Sequence, residues 1–477
     1  SNRSCRVSVA LGVSLELWSF GPVAGGMTDF DAGDIYDERD LFLVAMDVEG
    51  TLTPEAWLAL QEKTGLEELK LTTAHEPDYD KLMKYRIDVL RKNNIKLQDM
   101  RDVVQDLEPL AGAREFLEWL KPIVPRVLLL TDTFEEYAMP MFEKLGYPAV
   151  FCNSLTVDPD GTITGHTLRL KDQKRRAVEA FQRMNFRVIA IGDSFNDISM
   201  LKTSEHGILY CPGDRVMKAH PEFPVVRSHD ELRVKVGRII GANRRVMPRE
   251  LAPIAPLGES EASRSMWLLI CNVASTLAPE PWPAVQQALN IDELKATTAN
   301  EPDFTKLMKH RAAVLRKHGV KLQDVKNIVE KLTPLPGAKE FLEWLKPILP
   351  RTFMLTDGFE EYALPIFDKL GHPMVFCNFV EADAEGYLAK HIVRTKDQKL
   401  KAVQEFQRLN FRIIAVGHSL NDISMLQAAE RGILYSPSEH VIKANPGIPI
   451  VKSHAELKAH ILDILEMGPD GKRRKVA

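Results

Sequence analysis

The sequence predicts an α/β fold: two tandem doubly wound domains, each with a helical cap inserted after its first strand. Three observations predict it. The chain has 477 residues, too long for one ordinary core and suited to two. It also repeats itself. "MDVEGTLTPE" at 46–55 and "CNVASTLAPE" at 271–280 share one frame, and the offset of 225 residues from Asp47 to Asn272 holds downstream without insertion or deletion. "KLMKYR" (81–86) returns as "KLMKHR" (306–311), "EFLEWLKPI" (115–123) at 340–348, "NDISML" (196–201) at 421–426 and "GILY" (207–210) at 432–435. A period this long means whole domains, not a solenoid. Finally, short continuous apolar runs alternate with helical patterns inside each copy, as in a parallel sheet covered on both faces.

Residues 1–40 read as a leader, disordered or targeting. Domain 1 spans 41–242. Its strands are expected at "LFLVAM" (41–46), "RVLLLT" (126–131), "AVFCN" (149–153) and "RVIAIG" (187–192), with a hairpin over 156–165 turning at Asp160–Gly161. Residues 55–107 hold no strand; their charged helical periodicity, as in "YDKLMKYRIDVLRK", predicts the cap. A Pro-, Ser- and Ala-rich linker covers 243–266, the second copy 267–467, and a basic tail 468–477 resembles a nuclear import signal or a solvated end.

Composition narrows the function classes. The chain is 45% hydrophobic and 27% charged, with a formal net charge of −4. No basic excess argues for nucleic acid, and no apolar run approaches the roughly 20 residues of a membrane span. Five cysteines without a CxxC pair suggest buried reduced thiols and a cytoplasmic protein, or an organellar one if the leader targets it.

Ligands of doubly wound sheets bind beyond the C-terminal strand ends, and the polar residues gather there. Strand one ends in Asp47-Val48-Glu49-Gly50. Strand two ends in Thr131-Asp132-Thr133. "KDQKRRAVEAF" starts a helix with Lys174, and "GDSFNDISML" carries Asp193, Asn196 and Asp197. Each piece alone suits an ordinary cap or turn; the ordered set of acid, hydroxyl, lysine and acid pair suits phosphoryl transfer. Mg²⁺ takes hard oxygen ligands, which Asp47 and Asp193 could supply. A carboxylate can attack phosphorus to give an aspartyl-phosphate. Lys174 would neutralise charge on the phosphoryl oxygens and Thr131 would donate a hydrogen bond. Glu49, on the same side of an extended chain as Asp47, could act as acid and base.

These residues resemble the four motifs of the haloacid dehalogenase superfamily, at Asp47/Glu49, Thr131, Lys174 and Asp193/Asp197. "DVEGTLTPEAW", "LTDTFEEY", "KDQKR" and "GDSFND" are similar to the phosphoserine phosphatase/homoserine phosphotransferase family, over nearly all of 41–232. The superfamily usually has Asp where Glu49 stands; Glu fits the narrower family. The resemblance implies a Rossmann-like core with Asp47 as nucleophile and Glu49 as acid/base. It implies Mg²⁺ held by Asp47, the Glu49 carbonyl and Asp193, with Asp197 in or near its shell. It implies phosphoserine as substrate, homoserine as an alternative acceptor to water, and Glu55 and Arg86 gripping the amino and carboxyl groups. Thr131, Asp132 and Asn196 join them as substrate-binding residues.

In the second copy Asp47 becomes Asn272, Glu49 becomes Ala274, Gly50 becomes Ser275 and Asp193 becomes His418. Thr356, Lys399, Asn421, Asp422, Glu280 and Arg311 remain. An amide cannot form the acyl phosphate, so this copy is expected to be dead. It would serve as a structural partner in a pseudo-dimer, or as a ligand sensor taking phosphate or phosphoserine without metal. The competing functions are a phosphatase of another small phosphomonoester and a regulatory pseudoenzyme.

Overall fold

The computed structural model describes residues 41–72, 75–76, 78–242, 266–297, 300–301 and 303–466. The expected leader and basic tail lie outside them, as does all of the expected linker except Met266.

Each copy builds one seven-stranded sheet. The first contains β1 (Phe42–Met46), β2 (Val127–Phe134), β3 (Ala149–Val157), β4 (Ile163–Thr167), β5 (Arg187–Gly192), β6 (His206–Tyr210) and β7 (Val225–Val226), in the order β4-β3-β2-β1-β5-β6-β7. All neighbours run parallel except β3 and β4, so the sheet is mixed, with an antiparallel edge hairpin. β1 is buried throughout, as its unbroken apolar run requires. It lies between β2 and β5, so the chain leaves it in opposite directions, which opens the crevice at its C-terminal end.

Two strands run past their apolar runs. β2 continues through Thr131, Asp132 and Thr133 to Phe134, and β3 reaches Val157. Pairing decides this: Phe134 is in register with Asn153, and β3 pairs with β4 beyond Asn153. The hairpin turns at Gly161, whose φ of +87° an L side chain rarely adopts. Gly161 O accepts from Leu97 N at 2.9 Å, tying the turn to the cap.

The cap is helical as expected: α1 (Ala56–Thr64), α2 (Tyr79–Lys92) and α3 (Leu97–Asp106). Asp78 caps α2 by accepting from Asp80 N and Lys81 N. The helices α4 (Ala113–Leu120), α5 (Glu135–Lys144) and α6 (Gln173–Arg183) complete what positions the site. The second copy repeats the plan with β8 (Met266–Asn272), β9 (Thr352–Phe359), β10 (Val375–Ala382), β11 (Leu388–Ile392), β12 (Phe411–Gly417), β13 (Arg431–Tyr435) and β14 (Ile450–Val451).

The two copies touch reciprocally. Phe151 meets Phe411 at 4.7 Å between ring centroids, and Phe186 meets Phe376 at 4.8 Å. Arg126 pairs with Glu360 at 2.7 Å, and Arg351 with Glu135 at 3.0 Å. Arg169 donates to Leu409 O at 2.5 Å, and Arg394 donates to Met184 O. Every pair is its counterpart displaced by the repeat offset. The arginines and rings of these contacts are buried, and a hydrophobic core draws side chains from both halves.

Candidate active site

At the C-terminal end of β1 the chain turns sharply. Gly50 sits at φ +82°, and a Cβ there would lie 2.5 Å from Asp193 Oδ2. Only glycine gives both the left-handed conformation and that approach. The turn buries Asp47, fixed by Asp47 N donating to Ile191 O at 2.9 Å and Val48 N donating to Asp47 Oδ1 at 2.8 Å. Glu49 Oε1 accepts from Ala56 N at 3.0 Å, so the start of the cap orients it.

Lys174, on the first turn of α6, is buried among carboxylates: 2.7 Å from Asp197 Oδ1, 2.8 Å from Asp47 Oδ1 and 3.8 Å from Asp132 Oδ2. Ligand atoms of Asp47, Asp193 and Asp197 lie within 4.8 Å of one another; among the described residues this is the one such group suited to a metal ion. One lysine cannot neutralise three acids, and the consequence shows at Asp47 and Asp193. Burial and then Asp197 push the Asp47 carboxyl well up. The same two causes push Asp193 up to about 8. Burial works against the Lys174 charge, but Asp197 and Asp47 hold its pKa well above the ordinary value. A pocket of hard oxygens carrying uncompensated negative charge fits a divalent cation such as Mg²⁺. Asp197 Oδ2 already accepts from Asp193 N, Ser194 N and Ser194 Oγ, and its Oδ1 from Lys174, so it organises the loop. Asp47 and Asp193 are the more available ligands.

Glu49 stands toward the cap. Burial and then Glu55 push its carboxyl up to about 8, which leaves it mostly protonated at neutral pH. Glu55, before α1, is exposed at the mouth. Arg86 is buried in α2, its guanidinium 4.6 Å from the Trp57 ring centroid, with Nη2 donating to Leu71 O at 2.8 Å and Nε unpartnered. It acts electrostatically on both Glu49 and Glu55. Thr131 Oγ1 accepts from Thr133 N at 3.2 Å. Asn196 Nδ2 donates to Asp132 Oδ2 at 3.1 Å. Ion pairs and hydrogen bonds thus join Asp47, Lys174, Asp193, Asp197, Asp132 and Asn196 at the end of β1, and Glu49, Glu55 and Arg86 interact electrostatically on the cap side.

Sequence reasoning missed three supports. Gln173 Nε2 donates to Thr131 O at 2.8 Å and to Asp132 Oδ1 at 2.9 Å. Its Oε1 accepts from Arg169 Nη2 at 2.9 Å, and Arg169 is the residue that reaches Leu409 O of the second copy. Tyr79 of the cap donates its hydroxyl to Asp132 O at 2.8 Å. The repeat of "KDQK" was a signal for Gln173, but a duplication preserves neighbours of a site as readily as the site.

In the second copy the same frame holds different chemistry. Asn272 Nδ2 donates to Ala274 O at 2.9 Å and lies 3.0 Å from His418 Nδ1. Lys399 is paired with Asp357 at 2.6 Å and Asp422 at 2.8 Å. His418 Nε2 lies 3.4 Å from Glu280. Thr356 Oγ1 accepts from Gly358 N at 3.0 Å.

The sequence model of the haloacid dehalogenase-like hydrolases matches residues 43–204 and again 270–430. Phosphoserine phosphatase ThrH of Pseudomonas aeruginosa is 42% identical over 191 residues, 40% of this chain and 93% of the relative. A phosphoserine phosphatase of Pseudomonas syringae pv. tomato is 43% identical over 191 residues, 40% of this chain and 80% of the relative. Among solved structures, a substrate-bound phosphoserine phosphatase complex aligns with 22% identity and a TM-score of 0.36, over 42% of this chain and 99% of that one.

Proposed function

The chain belongs to the haloacid dehalogenase-like hydrolases, a phosphatase built as a tandem duplication, and from that premise we propose that its first copy is a Mg²⁺-dependent phosphoserine phosphatase. The observation that carries this reading is the convergence of Asp47, Asp193 and Asp197 on Lys174 at the end of β1. Phosphoserine as substrate is supported by the relatives and by Glu55 and Arg86, which offer a carboxylate to an ammonium group and a guanidinium to a carboxylate.

Asp47 Oδ1 is held by Val48 N and Lys174, which leaves Oδ2 to attack phosphorus. The P–O bond to serine breaks as the Asp47–phosphorus bond forms, and protonated Glu49 gives its proton to the departing oxygen. Glu49, now a carboxylate, takes a proton from the incoming water, which attacks phosphorus and frees Asp47. Lys174 and the Thr131 hydroxyl stabilise charge on the phosphoryl oxygens. A bound Mg²⁺, held by Asp47, Asp193 and the Glu49 carbonyl, would supply further charge neutralisation to those oxygens. The Tyr79–Asp132 hydrogen bond latches the cap over the crevice and limits water. Under that cover homoserine can replace water as acceptor. In an assay of phosphate release from O-phosphoserine with Mg²⁺, added homoserine should lower free phosphate and yield phosphohomoserine; unchanged phosphate release would leave hydrolysis alone.

The second copy, on this reading, does not turn over phosphomonoesters, because Asn272, Ala274 and His418 replace the nucleophile, the acid/base and a metal ligand. It serves as the partner half of a pseudo-dimer. The support is the relay from Leu409 O through Arg169 and Gln173 to Thr131 and Asp132: a main-chain atom of the dead copy helps hold the live site.

A further inference from the structure

The second copy lost its acids, yet its site has not closed. A cavity of about 290 Å³ lies between the ends of β8, β9 and β12 and the cap helices of that copy. Its lining includes Glu280, Arg311, Asp357 and Lys399, the neutral polar groups of Asn272, Thr356 and Asn421, and His418, whose Nε2 lies 3.4 Å from Glu280 Oε1. The cavity is mostly apolar, with Trp282, Phe304 and Leu307 on its cap wall, and its few polar groups converge within it.

Charge decides what fits. Lys399 is buried and already held by the carboxylates of Asp357 and Asp422, so it presents no surplus positive charge. The acid triad that would have recruited a metal is gone. A phosphate dianion would therefore meet Asp357 at the floor, where Lys399 is shared between two carboxylates and no metal adds positive charge. The groups that remain for a ligand lie nearer the mouth. Glu280 stands there, exposed enough to reach a ligand. Arg311 is buried in the cap wall, oriented by Nη2 donating to Ala296 O at 3.0 Å and by the Trp282 ring 4.3 Å away. A carboxylate and a preset guanidinium above a floor with no surplus positive charge match a zwitterion. Ala274, where the first copy has Glu49, and Phe304, where it has Tyr79, leave the space between them uncharged and partly apolar.

We propose that the second copy binds a free α-amino acid with a small uncharged side chain, without a metal: its ammonium on Glu280, its carboxylate on Arg311 and its side chain toward Asn272 and Thr356. This site needs no turnover in either copy, so its failure and that of the phosphatase reading are separable.

The test is calorimetric titration of the full chain in EDTA with L-serine, L-homoserine and O-phosphoserine. Arg86→Ala removes the equivalent grip in the first copy, and Arg311→Ala or the milder Glu280→Gln removes it in the second. L-serine or L-homoserine should bind the Arg86→Ala chain at one site, and either second-copy substitution should weaken that binding at least about tenfold. O-phosphoserine should bind the Arg86→Ala chain at least about tenfold more weakly than serine does. Heat that disappears in Arg86→Ala and survives in Glu280→Gln would assign the binding to the first copy and overturn the proposal. So would no heat from either neutral amino acid up to about 10 mM, or tighter binding of O-phosphoserine than of serine.

Discussion

Replacing Arg169 by methionine should weaken the fold and the active site together, whereas the same change at its counterpart Arg394 should weaken only the fold. Both arginines are almost wholly buried. Each donates to a main-chain carbonyl of the other copy and to a glutamine of its own: Arg169 to Leu409 O and Gln173, Arg394 to Met184 O and Gln398. Each also lies 4.5 Å from a phenylalanine ring of the other copy, Phe411 or Phe186. Methionine fills much of the volume but leaves two acceptors unpaired, at roughly 1–3 kcal/mol each. The lost cation–π contact adds about 1 kcal/mol, and relief from burying a charge offsets part of the total. The expected loss is about 3 kcal/mol for either variant, read as a lowered urea midpoint at unchanged slope. Activity should separate them. With its Oε1 unpaired, Gln173 no longer has one fixed orientation, and Thr131 O and Asp132 Oδ1 lose a donor. That should lower kcat/KM of Arg169→Met about tenfold, equivalent to about 1.4 kcal/mol, while Arg394→Met stays within about twofold of wild type. Equal activity losses in the two variants, or full activity in a folded Arg169→Met, would refute the relay.

Other substitutions test local arguments. Gly50→Ala should lower kcat at least about a hundredfold, because its Cβ would displace Asp193 and its φ is left-handed; Ser275→Gly, at the counterpart φ of +57°, should raise stability by about 1 kcal/mol. The Asp422 carboxyl is held down at about 2, against burial, chiefly by Lys399 and then His418. A depressed carboxylate contributes stability above its unfolded value of 3.8 that is lost as pH falls toward 2. That contribution is about 2 kcal/mol, so the stability gap between wild type and Asp422→Asn, followed by thermal melts, should narrow below about pH 4. A gap that stays constant down to pH 2 would contradict it.

Much of this architecture is legible in the chain itself. Leu41 to Met46 is apolar without a break, and a strand buried on both faces needs that. Asp47 and Glu49 stand out because two acids at such a strand end are odd unless they work. The boundaries were harder: Thr131 and Asp132 look like a loop after a strand, but pairing of Phe134 with Asn153 keeps them in β2. The β6–β7 edge was not anticipated, because β7 has two residues and no pattern. The interface was the least legible part. Nothing in "TLRLKDQK" sets Arg169 apart, and the second copy, placing Phe411 and Leu409 O against it, is what makes it a buried contact. Glu405, which pairs with Arg183 at 2.8 Å, stands where the first copy has Ala180, so the two faces have also diverged in ways the repeat alone does not explain.

The central claim is that all phosphoryl chemistry resides in the first copy. It is tested most directly by phosphate release from O-phosphoserine with Mg²⁺, comparing the wild-type full chain with Asp47→Asn. The account predicts steady turnover by the wild type, lost on chelation of the metal, and a fall of at least about a thousandfold in the variant, whose amide cannot carry the phosphoryl group. Substantial activity in Asp47→Asn would mean that the second copy, or another nucleophile, performs the reaction, and would contradict the account.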